Sequence, residues 1–312
     1  MTAPTRHWAS LGETTFVAGI WLLWAVYRVF GRTLFRLCLL PVVAWYWAVN
    51  PNARAASLQY LQRMQAAYGA IGHAPGWRDT LRHFFSFAET LLDKLLAISG
   101  RYAFDSVRWE GREAVLRAMA NGRGVMVVTA HVGCLELCRA LADHHAHFTL
   151  TIVVHTAHAE RFNRILHRLD PRSRVRLVQA GEVGAATAVL LSECIARGEV
   201  VAIVGDRVPV RASKQTTLPF LGVDAPLPVG AYVLAALLRC PLFFMACIRE
   251  GGGHVAVCEE LAESVELPRG RRDDALRQVA GRYVASLEAI LRRAPYEWFN
   301  FFPFWDQGRT KQ

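Results

Sequence analysis

Two residues that could carry acid–base chemistry, His131 and Glu136, lie five positions apart in the segment GVMVVTAHVGCLELCRAL, residues 124–141. The apolar run Val125–Thr129 predicts a buried strand that ends beside the histidine, and Gly133 supplies the backbone freedom for a turn. Residues with this spacing point away from each other in a continuous helix and to opposite faces of a strand, so the pair can meet only across such a turn. A histidine oriented by a carboxylate is a general base for a hydroxyl group. The segment therefore predicts an acid–base pair at the carboxyl end of a strand.

The same H-x-x-x-x-E spacing occurs at His155/Glu160 and at His254/Glu259. The His254 pair lies in an alternating apolar segment, where a strand would separate the two side chains. The His155 pair follows another apolar run and precedes a predicted helix, so the local chemistry favours it less than His131 without excluding it. The structural alternative for His131 is a histidine that only forms a hydrogen bond at a strand end.

A polar pair and a loop rich in glycine and proline follow later apolar runs. Asp206 and Arg207 come directly after VVAIV, at a position where open α/β sheets collect functional residues. The arginine could bind a phosphate or a developing oxyanion, or the two residues could only stabilise a loop. The segment LPFLGVDAPLPVG, residues 218–230, places glycine and proline turns around Phe220 and Leu221, which indicates a rigid loop that lines an apolar channel, or else a plain strand–loop–helix connection.

Composition limits the expected partners. The 312 residues contain 36 Lys and Arg against 26 Asp and Glu, a formal net charge of +10. A basic surface favours anionic partners: phospholipid headgroups, phosphorylated glycolipids, acidic carrier proteins or nucleic acid. The sequence has no zinc-finger spacing, no aromatic RNA-binding motif and no lysine-rich arm, so nucleic acid is not an expected partner.

The seven cysteines lie mostly in apolar segments. An odd number without disulfide-like spacing indicates buried thiols in a reducing compartment. Cys134 and Cys138 lie one helical turn apart beside His131, which would suit two ligands of a metal site. No second close pair of ligands accompanies them, so we interpret them as packing residues and expect neither a metal nor a cofactor.

Residues 1–50 form a hydrophobic segment rich in aromatic side chains. Its uncharged run Thr14–Tyr27 would span only about 21 Å as a helix, short of the ~30 Å hydrocarbon core of a bilayer. Arginines at 28, 32 and 36 follow, and Pro41 interrupts the next apolar run. We favour a monotopic helix or hairpin embedded in one leaflet. A transmembrane helix, a signal peptide and a hydrophobic helix folded over the core are the alternatives.

The remaining chain, residues 51–312, predicts one domain, with a helical lead-in over 51–103 and an α/β core over 104–312. Short apolar runs alternate with helical stretches in the core, which predicts an α/β fold with a mixed sheet flanked by helices. The predicted strands are Val125–Thr129, Leu150–Val154, Val175–Val178, Val200–Val204, Leu242–Ile248 and His254–Cys258. The predicted helices cover residues 111–121, 134–144, 160–168, 184–196, 229–239 and 272–293.

Taken in order, these segments resemble the lysophospholipid acyltransferase superfamily, and within it the lipid A biosynthesis lauroyl and myristoyl acyltransferases of Gram-negative bacteria. The resemblance begins at HWASLGE and the hydrophobic anchor, and continues through GRTLFRLCLLPVVAWYW and ARAASLQYLQR to the H-x4-E motif, His131 to Glu136. GDR at 205–207 is similar to the family's second block, FLGVDAPLPVG to its F-x-G…P-x-G block, and EWFNFFPFW, residues 297–305, to its aromatic tail. Arg207 replaces the more usual glutamine and the tail contains an asparagine, so the chain is also similar to divergent acyltransferases of aryl-polyene and xanthomonadin pathways.

The resemblance implies an O-acyltransferase at the inner membrane, peripheral, monotopic or single-pass, with its catalytic domain facing the cytoplasm. It would move a fatty or polyene acyl group from an acyl thioester, expected to be acyl carrier protein, to a hydroxyl of a membrane lipid or glycolipid. His131 would take the hydroxyl proton and Glu136 would orient the imidazole, while backbone N–H groups near Gly133, or Arg207, would stabilise the oxyanion. The substrate-binding residues would be Gly133, Asp206, Arg207, Phe220 and Gly222.

Three alternatives remain open at this point. A thioesterase would use the same His131/Glu136 pair to activate water. A covalent route could run through the Cys134 thiol. A membrane scaffold without catalysis would use neither histidine nor glutamate.

Overall fold

The computed structural model describes residues 17–98, 102, 106–139, 149–154, 175–179, 185–208 and 214–307. The central element of this part of the chain is a seven-stranded sheet with the order β1-β9-β8-β2-β5-β3-β4. Strands β8 and β9 pair antiparallel, and every other neighbouring pair in this sheet is parallel. A separate antiparallel hairpin consists of β6 and β7. The strands are β1 Val107–Glu110, β2 Val125–Thr129, β3 Leu150–Val154, β4 Val175–Gln179, β5 Val200–Val204, β6 Gln215–Phe220, β7 Val223–Pro228, β8 Leu242–Glu250 and β9 Gly253–Ala262.

Along the chain, the described helices precede, separate and follow these strands. They are α1 Val17–Val49, α2 Pro51–Tyr68, α3 Trp77–Ile98, α4 Arg112–Met119, α5 Ala185–Ala196, α6 Gly230–Leu238 and α7 Arg272–Arg293, with short 3₁₀ helices at Leu135–Arg139 and Phe304–Asp306. The predicted mixed α/β fold is therefore confirmed.

The central strands are apolar on both faces because both faces are covered. In β2, Met126 and Val128 belong to the core on one side of the sheet, while Val125 and Val127 belong to the core on the other side. All five β2 residues are buried, as expected for a parallel strand between two helical layers. Such strands give continuous apolar runs in the sequence, which is why β2, β3 and β5 have the predicted bounds.

Three strands differ from the sequence prediction. The sequence analysis missed β1, a four-residue edge strand with two charged residues and only a partial apolar pattern. It also interpreted residues 218–230 as a loop, but most of this segment belongs to the β6–β7 hairpin. The prolines of the hairpin are tolerated because a two-stranded ribbon has free edges on both sides. The described part of the predicted helix 134–144 contains a 3₁₀ helix, Leu135–Arg139, while its residues 140–144 and the predicted helix 160–168 lie outside the described residues.

Helix α1 is broken at Gly31, whose backbone (φ 76°, ψ −172°) is not helical. By length and composition, the second part, Gly31–Val49, is the helix of the described residues that could cross a membrane. One face of this part packs on α3, with Phe35, Leu39 and Val43 buried against an apolar cluster on that helix. The spacing of four residues between these side chains places them on one stripe of the helix.

Polar contacts fix the same face of α1 to α3. Arg32 forms an ion pair with Asp93 (3.1 Å), and Arg36 forms one with Glu89. At the other end of the contact, the Trp47 indole N–H donates to the Thr80 hydroxyl at 3.0 Å. The partners run in opposite order along the chain, so α1 and α3 are antiparallel. The part of α1 from Gly31 to Val49 therefore packs on α3 with one face, while its other face is exposed.

The buried His83 of α3 should make the free energy of unfolding depend on pH. The ring is fully buried, with Nδ1 at 2.9 Å from the Ser57 hydroxyl and Nε2 at 2.8 Å from the Trp298 carbonyl. Burial lowers the pKa of His83 from 6.5 to about 4, although the hydrogen bond to Trp298 opposes the shift. Between these values the unfolded chain binds the proton and the folded chain does not, so the free energy of unfolding should fall as the pH is lowered through this window.

We therefore expect His83→Gln to weaken this dependence by up to ~1.4 kcal/mol per pH unit, the limit for one proton. Urea unfolding in detergent between pH 6.5 and 4 measures it. A variant with the same slope as the wild type would show that His83 does not titrate in this way.

Candidate active site

His131 lies two residues beyond β2, in a loop that pairs with the C-terminal segment. The His131 carbonyl accepts the Phe299 N–H at 2.7 Å, and the Gly133 N–H donates to the Glu297 carbonyl at 2.9 Å. These two bonds form an antiparallel bridge between Val132 and Trp298. The loop after β2 is therefore held by backbone hydrogen bonds to residues more than 160 positions away.

Gly133 is required by the close approach of this loop to β8. Its φ of 53° lies in the left-handed region, and a Cβ atom at this position would lie 1.9 Å from the Cys247 carbonyl oxygen. Its N–H and that of Cys134, which donates to Cys247 at 2.8 Å, are both used within the fold. These two N–H groups are therefore not available to an oxyanion in this structure.

Asp206 is the carboxylate that orients His131. It follows β5, the parallel neighbour of β2, and the pairing of Thr129 with Val204 brings the two strand ends together. The Nδ1 atom of His131 lies 2.7 Å from Oδ1 of Asp206, and the His131 backbone N–H donates to Oδ2 at 3.0 Å. One carboxylate thus fixes both the ring and the backbone of the histidine.

Two side chains of the C-terminal segment complete the surroundings of Asp206. The Trp298 indole N–H donates to Oδ2 at 3.0 Å, and the Asn300 amide donates to the same oxygen at 2.7 Å. Asp206 is fully buried. Burial acts to raise the pKa of Asp206, but the charge and hydrogen bonds of His131, together with the charge of Arg207, outweigh it and hold the pKa well below its usual range.

The same surroundings set the protonation of His131. Burial lowers the pKa of His131, the charge of Arg207 lowers it further, Asp206 opposes the shift, and the Lys94 ammonium again lowers it. The imidazole is therefore neutral near pH 7. Because an ionised carboxylate only accepts hydrogen bonds, the hydrogen is on Nδ1 and Nε2 keeps its lone pair. With 32% of the His131 side chain exposed, Nε2 can serve as a base for a bound substrate.

Glu136 does not take the orienting role that the spacing predicted. Its Oε1 lies 3.2 Å from the Lys94 ammonium, and Oε2 accepts a hydrogen bond from the Cys134 thiol at 3.6 Å. No hydrogen bond joins Glu136 to His131 in the described part of the chain. The chain continues from Gly133 into a 3₁₀ helix, Leu135–Arg139, and Glu136 in its first turn forms its ion pair with α3.

Arg207 is fixed beside the histidine by the C-terminal segment. Its Nε donates to the Asn300 side-chain oxygen at 2.7 Å, and a terminal nitrogen donates to the Phe299 carbonyl at 3.1 Å. The guanidinium lies over the Phe302 ring, 5.4 Å from the centroid. Burial lowers the pKa of Arg207 to about 10, with Asp206 opposing the shift, so the side chain remains charged at neutral pH.

Asn300 bridges Asp206 and Arg207, since its side-chain amide donates a hydrogen bond to Asp206 and accepts one from Arg207. The sequence analysis noted the asparagine only as a departure from the aromatic tail. It also gave no role to Lys94. Lys94 could have been noticed as a charged residue in a largely apolar helical stretch, but no neighbouring residue in the sequence connects it to His131.

Phe220 and Gly222 lie apart from the imidazole. The Phe220 ring is fully buried, stacks on Trp305 with a centroid distance of 5.8 Å, and contacts Trp298 at 5.3 Å. In this structure the Phe220 ring therefore packs against Trp298 as part of the core. Gly222, with φ 77°, shapes the turn of the β6–β7 hairpin.

The thiols near the site have the properties of core side chains. Cys134 and Cys138 are buried, and burial is the leading cause that raises the pKa of Cys134 well above its usual value. A thiol with a raised pKa is a weak nucleophile near pH 7, which disfavours the covalent route. Among the described residues, no group of three or more His, Cys, Asp or Glu side chains could hold a metal ion.

The competing pair His155/Glu160 lies outside the described residues, and His254 is buried with its Nε2 3.3 Å from Asp93.

Comparison with known proteins identifies one family. The family model of the bacterial lipid A biosynthesis acyltransferases matches residues 87–307. The match begins within α3 and ends just after the last 3₁₀ helix, so it includes Lys94, His131, Asp206 and Asn300. A search of curated proteins found no match.

The roles of the two carboxylates can be separated by substitution. Asp206→Asn keeps the size of the side chain but removes the anion that selects the Nδ1–H tautomer and stabilises the imidazolium. We expect the turnover number to fall by at least ~10²-fold, the usual scale for loss of a general base. The pKa on the acidic limb of kcat/KM should also move to lower pH, because Asp206 raises the pKa of His131.

Glu136→Gln is the matched control, since it makes the same change of charge on a neighbouring carboxylate. It should leave the tautomer of His131 unchanged and move the acidic limb far less. Steady-state kinetics from pH 5 to 9 on both variants decides this. A shift for Glu136→Gln as large as that for Asp206→Asn would return the orienting role to Glu136.

Proposed function

The chain belongs to the family of bacterial lipid A biosynthesis acyltransferases, and on that premise we propose that it transfers an acyl group from an acyl thioester to a hydroxyl of a membrane-associated lipid or glycolipid. The observation that carries this proposal is the pairing of His131 with Asp206, which holds Nδ1 of the ring while 32% of the side chain is exposed, so that Nε2 is the candidate base. A base of this kind suits the activation of a hydroxyl group.

The mechanism needs no nucleophile from the protein. Nε2 of His131 takes the proton of the acceptor hydroxyl as its oxygen attacks the thioester carbonyl carbon. The C=O electrons move onto the oxygen and then return as the C–S bond breaks. The imidazolium gives its proton to the departing thiolate, which leaves an ester and a free thiol. Asp206 stabilises the imidazolium between these two steps.

Arg207 is the best candidate for stabilising the oxyanion. It is charged, lies close enough to lower the pKa of His131, and is held rigidly by Asn300 and Phe299. A fixed positive charge near the developing oxyanion lowers the barrier most when it needs no reorganisation. The N–H groups of Gly133 and Cys134 are used within the fold, which leaves this role to the arginine.

Glu136 acts through Lys94 in this proposal. The Lys94 side chain is 35% exposed, and its ammonium lowers the pKa of His131. Held by Glu136, it adds a second cation to the entrance of the site, where the donor and the acceptor bring their phosphates. Glu136 is therefore proposed as a positioning residue for substrate binding.

The proposed acyl donor is acyl carrier protein, which is acidic, and the proposed place of action is the cytoplasmic face of the inner membrane. The charge of +10 favours such a donor. Three exposed arginines, Arg269, Arg271 and Arg272, lie at the start of α7 and could receive it. Asp273 in the first turn of α7 is paired with Lys214, which reduces its opposing charge. Arg211 lies outside the described residues.

The transfer reaction can be tested directly. The purified protein in detergent micelles, with acyl carrier protein carrying a lauroyl group and a hydroxylated glycolipid, should form an acylated lipid that mass spectrometry detects. His131→Ala should lower the rate by at least ~10²-fold. Release of free fatty acid at the same rate with and without acceptor would identify a thioesterase instead. Full activity of His131→Ala would contradict the mechanism.

The choice of donor is a separate test. We expect higher kcat/KM for the carrier-protein thioester than for acyl-CoA, with a fall as salt rises, because contacts between exposed charges are screened over ~8–10 Å. Arg271→Glu/Arg272→Glu should reduce that preference, while Arg117→Glu, at an exposed arginine on α4, should not. Equal use of both donors with equal salt dependence would remove the carrier protein as the preferred donor.

A further inference from the structure

A groove lies between the second part of α1 and the first part of α3, away from the loop that carries His131. It has a volume of about 570 Å³. Its apolar walls include Leu40, Pro41 and Val43 from α1 and Trp77, Leu81 and Phe85 from α3. Among the described residues that line it, Arg78 and Arg82 are the charged ones.

The surface around this groove is apolar and exposed. On α1, Leu37 is 57% exposed and Trp45 is 66% exposed, and Trp77 at the start of α3 is 59% exposed. Leu37 and Trp45 lie outside the face of α1 that packs on α3. Soluble monomers rarely expose continuous apolar patches of this kind, and such patches mark binding sites for lipid or protein.

The two arginines give the groove its chemical preference. They lie one helical turn apart, both are exposed, and in the described part of the chain neither forms an ion pair with a carboxylate. The Arg78 guanidinium lies 5.2 Å from the Trp77 ring centroid, and that of Arg82 lies 4.2 Å from the Tyr296 ring centroid. Aromatic rings hold the guanidinium groups in place. Arg82 also forms a side-chain hydrogen bond with Tyr296, but a guanidinium carries several N–H donors, so others remain for an anion.

The nearest carboxylate, Asp79, has other partners. It accepts hydrogen bonds from the Gly76 N–H and the Tyr296 hydroxyl, both at 2.8 Å, and one of its oxygens lies 3.1 Å from His73. The acid adjacent to Arg78 in sequence is therefore used within the fold. The charge at the groove remains positive.

We propose that this groove binds an anionic phospholipid of the membrane, with an acyl chain along the α1–α3 walls and the headgroup phosphate on Arg78 and Arg82. An acyl chain fits a narrow apolar groove, and an arginine pair one turn apart suits a phosphate because each guanidinium can donate two parallel hydrogen bonds. The adjacent exposed side chains of α1 would contact neighbouring lipid. The site is independent of the reaction proposed for His131.

The test uses the full-length protein in nonionic detergent and native mass spectrometry. Phosphatidylglycerol is added in one series and phosphatidylcholine in another, and the bound fraction is measured for each lipid. The wild type should bind phosphatidylglycerol more tightly. Arg78→Gln/Arg82→Gln should weaken phosphatidylglycerol binding by about tenfold or more and remove the preference, because each arginine near a lipid surface contributes about fivefold.

Two further variants separate the parts of the site. Ala44→Phe fills the groove while keeping both arginines, and should weaken the binding of both lipids. Arg117→Gln/Arg277→Gln removes two exposed arginines on α4 and α7, and should change neither. Circular dichroism checks that each variant is folded.

Three results would overturn the proposal. The first is equal binding of both lipids to the wild type. The second is unchanged phosphatidylglycerol binding in Arg78→Gln/Arg82→Gln. The third is another occupant, shown either by a dimer that Ala44→Phe dissociates or by lipid binding that appears only after deletion of residues 2–16.

Discussion

A single buried charge, the carboxylate of Asp206, organises the site. A carboxylate removed from water is stable only when donors surround it, and here four hydrogen bonds do so, from the His131 ring, the His131 backbone, Trp298 and Asn300. These donors come from the loop after β2 and from the C-terminal segment. The need to satisfy one charge therefore draws two distant parts of the chain to the end of β5, and the histidine is placed as a consequence.

A second buried ionic network connects this site to the N-terminal helix. Arg249 of β8 lies 2.6 Å from Asp93 of α3, and the same carboxylate forms an ion pair with Arg32 of α1. The Arg249 backbone N–H donates to the Glu297 side chain at 2.9 Å, directly before Trp298 in the sequence. The exposed apolar face of α1 and the catalytic loop are thus attached to one rigid frame, because breaking a buried ion pair leaves an uncompensated charge. This arrangement suits the proposed reaction with a membrane-associated acceptor.

The sequence alone predicted the structure correctly where the interactions that determine it are local. The apolar runs predicted β2, β3 and β5, and the turn at Gly133 placed His131 at a strand end. The spacing of His131 and Glu136 then suggested the wrong partner, because it shows that two side chains could meet and not which other groups compete. Asp206 lies 75 residues from His131, and only the parallel pairing of β2 with β5 brings them together. Asn300 and Lys94 were missed for the same reason, since their roles depend on how the C-terminal segment and α3 pack on the sheet.

The central claim is that Asp206 holds the hydrogen on Nδ1 of His131 and leaves Nε2 as the base. Nitrogen-15 NMR of protein labelled at histidine measures this tautomer, with the His131 signals identified by their loss in His131→Gln. We expect neutral imidazole at pH 7 with a protonated Nδ1, an unprotonated Nε2, and a pKa below 6.5. A His131 ring with the hydrogen on Nε2, or one that is already doubly protonated at pH 7, would contradict the account.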